Sequence, residues 1–326
     1  MMMIDENAII VADVGGTNAR FALAVLVDGD INNIKLVQRQ TYPSAEFASL
    51  QDVLKQYISD ESLQACKKVS IAVAGPIKQG QANVTNLGWN FSVSELEQQF
   101  ELDRCELLND FAAFAFSGPF LPADQIVEIK SGEADPTAPI AAIGPGTGFG
   151  VAQLVPTKDS FQVVACEGGH VNIPVVNELQ FKVLQYAQTQ HQVVSVEHLL
   201  SGTGLALLYK GVAAAQGLDA KDYTSADVST KALSGEDDIC LQTLNLFCDW
   251  LGMVAGNIAL TQGAKGGVMI GGGVLPRFVE FFKASKFNHN FDDKGIMSHF
   301  VKDIPVHLNL CDSAALIGAA AFLASE

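Results

Sequence analysis

The run from Ile9 to Leu23 limits the folds open to this chain more than any other. Apolar residues Ile9-Ile10-Val11-Ala12 lead into Asp13 and Val14, then Gly15-Gly16-Thr17-Asn18, and the apolar run resumes from Ala19 to Leu23. Both flanks read as strands, so the segment is a hairpin that turns over Gly15 to Asn18. Adjacent glycines let backbone N–H groups crowd toward an anion, and Thr17 and Asn18 add side-chain donors. Asp13 cannot bind a phosphate directly, but it can hold a divalent cation through water, and that cation can hold phosphates. The turn is a candidate cradle for a Mg-nucleotide. An ordinary tight hairpin with an acid at the strand end is the plain alternative.

Two other phosphate loops are excluded. A Walker loop needs G-x-x-x-x-G-K-[ST] at the start of a helix, and the chain contains no such string. A dinucleotide fingerprint needs a helix after its glycines, whereas Phe21 to Leu26 favours a strand. The pattern recurs further on. Ile140 to Ile143 reads as a strand, Gly144-Pro145-Gly146-Thr147-Gly148 as a turn, and Phe149 to Val155 as a strand. Two Gly-Thr hairpins about 130 residues apart, each opening a half of the chain, indicate a duplicated α/β domain, since the interval is far too long for a solenoid repeat. Two such cradles facing each other across a cleft could hold one polyphosphate from both sides.

A length of 326 residues suits two domains, and with 48% apolar and 17% charged residues the chain is globular. Its 36 acids against 20 bases give a formal charge of −16, which repels nucleic acid and anionic membrane surfaces. A nucleotide must then be drawn in by local amides and Mg²⁺ rather than by overall charge. Met1 to Glu6 lacks the basic region and apolar core of a signal peptide, and the most apolar stretches read as short or broken, so no spanning helix is expected. Six scattered cysteines without a C-x-x-C pair argue for reduced thiols in the cytosol and against structural zinc.

The first hundred or so residues read strand, strand, helix (Phe47 to Ile58), strand (Val69 to Ala74), then a polar turn region that includes a loop from Thr85 to Asn90. Ser92, Ser94 and Glu95 supply helix-start chemistry for Val93 to Phe100. Cys105 to Leu108 is a short strand before Asn109-Asp110 and a helical run from Phe111 to Phe116, and Ser117 to Pro122 marks a domain crossover. In the second half, Phe161 to Cys166 is a strand, and Val183 to Gln190 and Val196 to Tyr209 are helical, the latter interrupted at Ser201 to Gly204. Gly211 to Asp238 carries no assignable role. A long helix covers about Leu241 to Thr261, and Gly266 to Gly273 is a buried strand that delivers Gly271, Gly272 and Gly273 to its carboxyl end. Ligands of open α/β sheets sit at such ends, and a bare backbone there could lie flat against an adenine. A tight strand-to-helix turn is the alternative. Ala314 to Ser325 is a closely packed helix of small residues.

Asp110 could simply cap a helix. Its apolar flanks also suit a semi-buried carboxylate that takes a proton from an attacking hydroxyl. Glu167-Gly168-Gly169-His170 resembles a di-metal Glu-x-x-His element, but that element needs a helix, which two glycines disfavour. Glu197 could be first-turn helix charge. Asn109, Asp110, Glu167, His170 and Glu197 together form an acceptor-rich set suited to a neutral polyhydroxylated ligand. His191 and His198 read as surface or helix residues.

Taken together, Ala12 to Leu23, Ala74 to Ile77, Thr85-Asn86 with Trp89, Leu108 to Ala113, Gly144 to Gly150, Glu167 to Val171, Leu200 to Gly204 and Gly271 to Phe278 resemble the bacterial glucokinase family of the actin/hexokinase superfamily. The resemblance spans nearly the whole chain in order. It implies a two-domain α/β, ribonuclease H-like fold with a cleft between a smaller domain (residues 1–120 with 312–326) and a larger one (121–311), the C-terminal helix returning to the first. It also implies ATP-dependent phosphorylation of glucose at its 6-hydroxyl, in the cytoplasm, by a homodimer.

Carried over by motif, Asp110 is the general base, and Asn109, Glu167, His170 and Glu197 hold sugar hydroxyls beside it. Ala12, Asp13, Val14, Gly15, Gly16, Thr17 and Asn18, with Gly146, Thr147 and Gly148, hold the ATP phosphates. Gly271, Gly272 and Gly273 lie by the adenosine, and Asp13 orients the Mg²⁺ shell. Ala12 stands where glycine is common and Phe149 where leucine is common; neither touches the proposed chemistry. The cysteine-rich zinc motif of the related repressor/kinase group is absent, and so is a helix-turn-helix extension. Both absences argue against a non-catalytic sugar sensor or regulator, and a kinase for another hexose (mannose, fructose or an amino sugar) is the nearer alternative.

Overall fold

The computed structural model describes residues 8–84 and 86–325; the N-terminal stretch Met1 to Glu6 and Thr85, both used above, lie outside them. The chain forms two compact units. One comprises residues up to Gln125, with Thr157–Ala165 and Cys311 onward; the other comprises Ile126–Pro156 and Cys166–Leu310.

In the first unit the opening run forms β1 (Ile9–Val14) and β2 (Asn18–Leu26), followed by β3 (Ile34–Pro43), α1 (Leu50–Asp60) and β4 (Lys68–Val73). Next come β5 (Ile77–Lys78), β6 (Gln81–Val84), β7 (Trp89–Ser92), α2 (Val93–Phe100), β8 (Arg104–Asn109) and α3 (Asp110–Ser117). The main sheet has the order β3-β2-β1-β4-β8, antiparallel from β3 to β1 and parallel from β1 to β8. β1 is apolar except for Asp13 near its carboxyl end, because both of its faces are covered. Ile10, Ala12 and Val14 join Leu50, Val53, Leu54 and Tyr57 of α1 in one core. Ile9 and Val11, pointing the other way, pack on Leu316, Ala319, Ala320 and Leu323 of the C-terminal helix Ala314–Ser325.

Sequence reading misses β3, whose ten residues are mostly exposed and lack alternation. It also takes the β5-β6-β7 meander for turns, because its strands have only two to four residues each. The proposed loop ends early: Asn86 to Gly88 turn, and Trp89 and Asn90 already belong to β7.

The second unit begins with β9 (Ile126–Lys130), β10 (Ile140–Pro145) and β11 (Phe149–Pro156); β12 (Phe161–Cys166) follows in the chain, all but Cys166 of it belonging to the first unit. Its helices are α4 (Glu178–Gln188), α5 (Val196–Leu199), α6 (Gly204–Ala215), α7 (Ser225–Ser234) and α8 (Asp238–Gln262). After them come β13 (Gly267–Ile270), α9 (Val279–Ala284), α10 (Phe287–Asp292), α11 (Ser298–Val301) and β14 (Val306–Asn309). Within this unit the sheet runs β11-β10-β13-β14-β9. β10 pairs antiparallel with its hairpin partner β11 and parallel with β13, the same arrangement that β1 has with β2 and β4. The duplication visible in the sequence is therefore a duplication of topology.

Asp237 caps α8 by accepting the N–H groups of Ile239 and Cys240, and Gly263 closes it in a left-handed conformation. Among the described residues α8 is the one helix long and apolar enough to cross a membrane, unlike the broken stretches expected from sequence; 72% of its apolar window is buried inside the protein. Phe247, Trp250 and Leu251 place it in the core. The stretch Gly211 to Asp238 contains the end of α6 and all of α7, which Thr224 caps.

Candidate active site

In the first unit, the parallel strands β1, β4 and β8 bring their carboxyl ends to one edge. Asp13 lies opposite Ala72 of β4, and Asn109 lies opposite Val73. Asp13 also faces Arg20 across the hairpin, with a carboxylate-to-guanidinium distance of 3.8 Å. Burial raises the Asp13 carboxyl above its ordinary value, and Arg20 only partly offsets this.

The turn between the strands is held by a residue the sequence reading misses. Ser44, fully buried, donates its N–H to Thr17 O at 2.9 Å and its hydroxyl to Gly15 O at 3.1 Å. With those carbonyls occupied and Gly15 N–H bound to Asn18 O at 2.9 Å, the turn has a fixed shape. Only strand pairing across β2 and β3 brings Ser44 there, so no local sequence signal could have marked it.

At the β8–α3 junction the capping role falls to Asn109, not Asp110. Asn109 Oδ1 accepts from Phe111 N at 3.0 Å and Ala112 N at 3.2 Å. Asp110 is the first helical residue, and its Oδ1 accepts Phe111 N at 2.8 Å. Burial, with the negative charge of Asp13 as a smaller cause, pushes the Asp110 carboxyl up to about 6 against the pull of these backbone donors. Asp110 thus senses Asp13, and burial makes each of the two acids reluctant to ionise.

In the second unit the candidate residues collect around one turn, Pro145 to Phe149. Gly202 N–H donates to Gly146 O at 2.7 Å, and Gly146 N–H to Gly148 O at 2.9 Å. Glu197 Oε2 accepts Phe149 N–H at 2.8 Å, and a Cβ at Gly148 would collide with that same oxygen. Gly272, at φ +89°, backs onto Pro145 O so closely that no side chain fits. The last glycine run therefore has a packing reason beyond any ligand.

Gly169 lies against the Phe149 carbonyl, which brings the Glu167–His170 segment to the same turn. Glu167 and His170 are exposed, with Oε2 and Nε2 3.8 Å apart. Gly168–His170 forms a single 3₁₀ turn, which brings the two side chains together without the helix thought necessary. His198 is a helix residue, in α5, as expected, whereas His191 lies outside any helix; both are half-buried, and their rings stack with centroids 4.0 Å apart.

The glucokinase family model matches residues 10–326. The chain belongs to the glucokinase family. It is 45% identical over 314 residues to a glucokinase of Saccharophagus degradans, covering 96% of this chain and 97% of that one. To a glucokinase of Chromobacterium violaceum it is 41% identical, covering 97% and 89%. A crystal structure of glucokinase from an Antarctic psychrotroph superposes with a TM-score of 0.91 at 47% identity, over 98% of this chain and 99% of the other. As a glucokinase-family chain it has the two-domain actin/hexokinase-like fold that the paired hairpins imply.

Proposed function

We propose that this chain transfers the γ-phosphoryl group of ATP to the 6-hydroxyl of glucose, giving glucose 6-phosphate for glycolysis in the cytoplasm. The observation that carries the reading is Asp110, a carboxyl pushed up to about 6 in the unit that also holds the first Gly-Thr hairpin. A base near that value is mostly ionised at neutral pH and still basic enough to take a proton from a hydroxyl as attack begins. Nearly full-length identity to glucokinases supports the same assignment of substrate.

In this reading Asn109, Asp110, Glu167, His170 and Glu197 bind the sugar hydroxyls. Ala12 to Asn18 and Gly146 to Gly148 hold the phosphates, and Gly271 to Gly273 pass by the adenosine. The N–H groups of Gly15 and Gly146 are bonded within the turns, so the donors are the other turn N–H groups and the side chains of Thr17, Asn18 and Thr147. Asp13 fits a role in the shell of Mg²⁺, since a cation would relieve the burial of two neighbouring acids, Asp13 and Asp110. When bound, Mg²⁺ supplies charge neutralisation on the phosphates. The protein's own share is to orient the sugar, hold its proton acceptor and exclude water. We assign residues 1–120 with 312–326 to the smaller domain and 121–311 to the larger, which differs from the compact units in residues 121–125, 157–165 and 311, and the active form to a homodimer.

An ADP-release assay with Mg-ATP across a panel of hexoses, with Asp110→Ala as control, tests the reading. Glucose-dependent turnover lost in the control is expected. Preference for another hexose would change the substrate, and silence with glucose still bound in calorimetry would replace the kinase with a sensor.

A further inference from the structure

His198 occupies the third position of α5, where a glutamate or glutamine ordinarily closes a capping box. Its Nδ1 accepts the Ser195 N–H at 3.0 Å and lies 3.0 Å from Ser195 Oγ. A backbone N–H can only donate, so Nδ1 is bare and the ring proton sits on Nε2. Ser195 is buried and bridged antiparallel to Asn172. Val196 N–H donates to Val171 O at 2.9 Å and Ile173 N–H to Val194 O at 3.2 Å. One side of this bridge begins next to His170, and the other ends next to Glu197. The imidazole therefore adds a side-chain bond, at Ser195, to the backbone pairs of the junction from which both side chains project.

We propose that His198 is a positioning residue: its neutral ring, accepting at Nδ1, fixes the His170–Glu197 junction and so sets the affinity for the sugar. The inference rests on the kinase reading for the identity of that sugar. Protonation at Nδ1 would set two donors against each other, break the bond to Ser195 and loosen the junction. Burial opposes that protonation most, the stacked His191 and then His170 oppose it further, and Glu197 beside it on the helix favours it. α6, packed on α5, carries one charged side chain, Lys210, which faces Asp222 at 3.9 Å.

The test is glucose binding by calorimetry without ATP, together with KM and kcat, from acid to alkaline pH in wild type, His198→Gln and His198→Ala. Gln keeps an acceptor for Ser195 and removes the titration. Wild-type affinity should fall several-fold as pH drops below about 6.5, His198→Gln should fall less, keeping only the share that Asp110 contributes as it protonates, and His198→Ala should bind roughly fivefold more weakly than wild type at neutral pH. At any one pH kcat should differ among the three much less than KM does. An identical acid fall in His198→Gln, or wild-type affinity in His198→Ala, overturns the inference. Imidazole ¹⁵N shifts provide a readout that does not need activity: the Nε2–H form supports the positioning role, and the Nδ1–H form overturns it. A wild type that binds no glucose at any pH fells the kinase reading and the sugar half of this inference with it.

Discussion

The Phe149 N–H donates to Glu197 Oε2 at 2.8 Å, so a carboxylate read as a sugar contact also anchors the end of the Gly146–Gly148 turn. The two halves of the proposed chemistry are thus mechanically joined in one unit. Glu197→Gln keeps an oxygen for Phe149 N–H, and should raise the glucose KM about tenfold with little change in the ATP KM. Glu197→Ala removes the anchor and should raise both. Initial rates with each substrate varied distinguish the two cases.

Asp110→Ala should lower kcat by about a thousandfold or more while leaving glucose affinity within about an order of magnitude. In wild type, kcat/KM should climb with pH to about 6 and then level off, because the base must be ionised. Stability carries the opposite sign. A carboxyl whose value is raised on folding contributes stability below its unfolded value near 3.8 that is lost as pH rises through about 6. Asp110→Asn should therefore melt higher than wild type at pH 8, with a smaller difference at pH 4. A lower melting temperature at pH 8 would mean that burial does not disfavour the ionised carboxylate.

Much of this fold is legible because its central strands are covered on both faces. The runs at Ile9 to Ala12 and Ile140 to Ile143 are apolar without alternation, and the glycines after them mark where backbone meets ligand or backbone. β3 and the β5-β6-β7 meander are not legible, since exposed or two-residue strands bury too little to impose a period. The same limit applies at the site. Asn109 and Asp110 stand beside each other in sequence, and a side-chain cap is a local event whose place can be read, although the capping side chain is Asn109 where the sequence suggested Asp110. Ser44 reaches the first turn, and Gly202 the second, only through tertiary pairing.

Lys130 in β9 is a buried cation. Its Nζ donates to the carbonyls of Val301, Lys302 and Ile304, which closes the end of α11, and lies 3.3 Å from Asp292 Oδ1. Lys130→Met keeps the packing volume but strands those carbonyls and leaves Asp292 facing an apolar wall. The expected cost is about 2–4 kcal/mol in urea unfolding, with KM values unchanged in the folded fraction. A cost near zero would show that water replaces the ammonium without penalty.

Ser44→Ala separates the shape of the first hairpin from its sequence, because it leaves Gly15 to Asn18 untouched. The substitution deletes the hydroxyl donor to Gly15 O and retains the backbone donor to Thr17 O. Loss of one buried neutral hydrogen bond should cost about 1 kcal/mol. The functional effect should be selective. With Gly15 O released, the peptide joining Gly15 to Gly16 can rotate, and its N–H no longer points where a phosphate oxygen would meet it. The ATP KM should rise several-fold while glucose affinity, measured without nucleotide, stays at the wild-type value. A matching loss in glucose affinity would instead mean that Ser44 supports the whole first unit, and an unchanged ATP KM would mean that the Thr17 bond alone holds the turn.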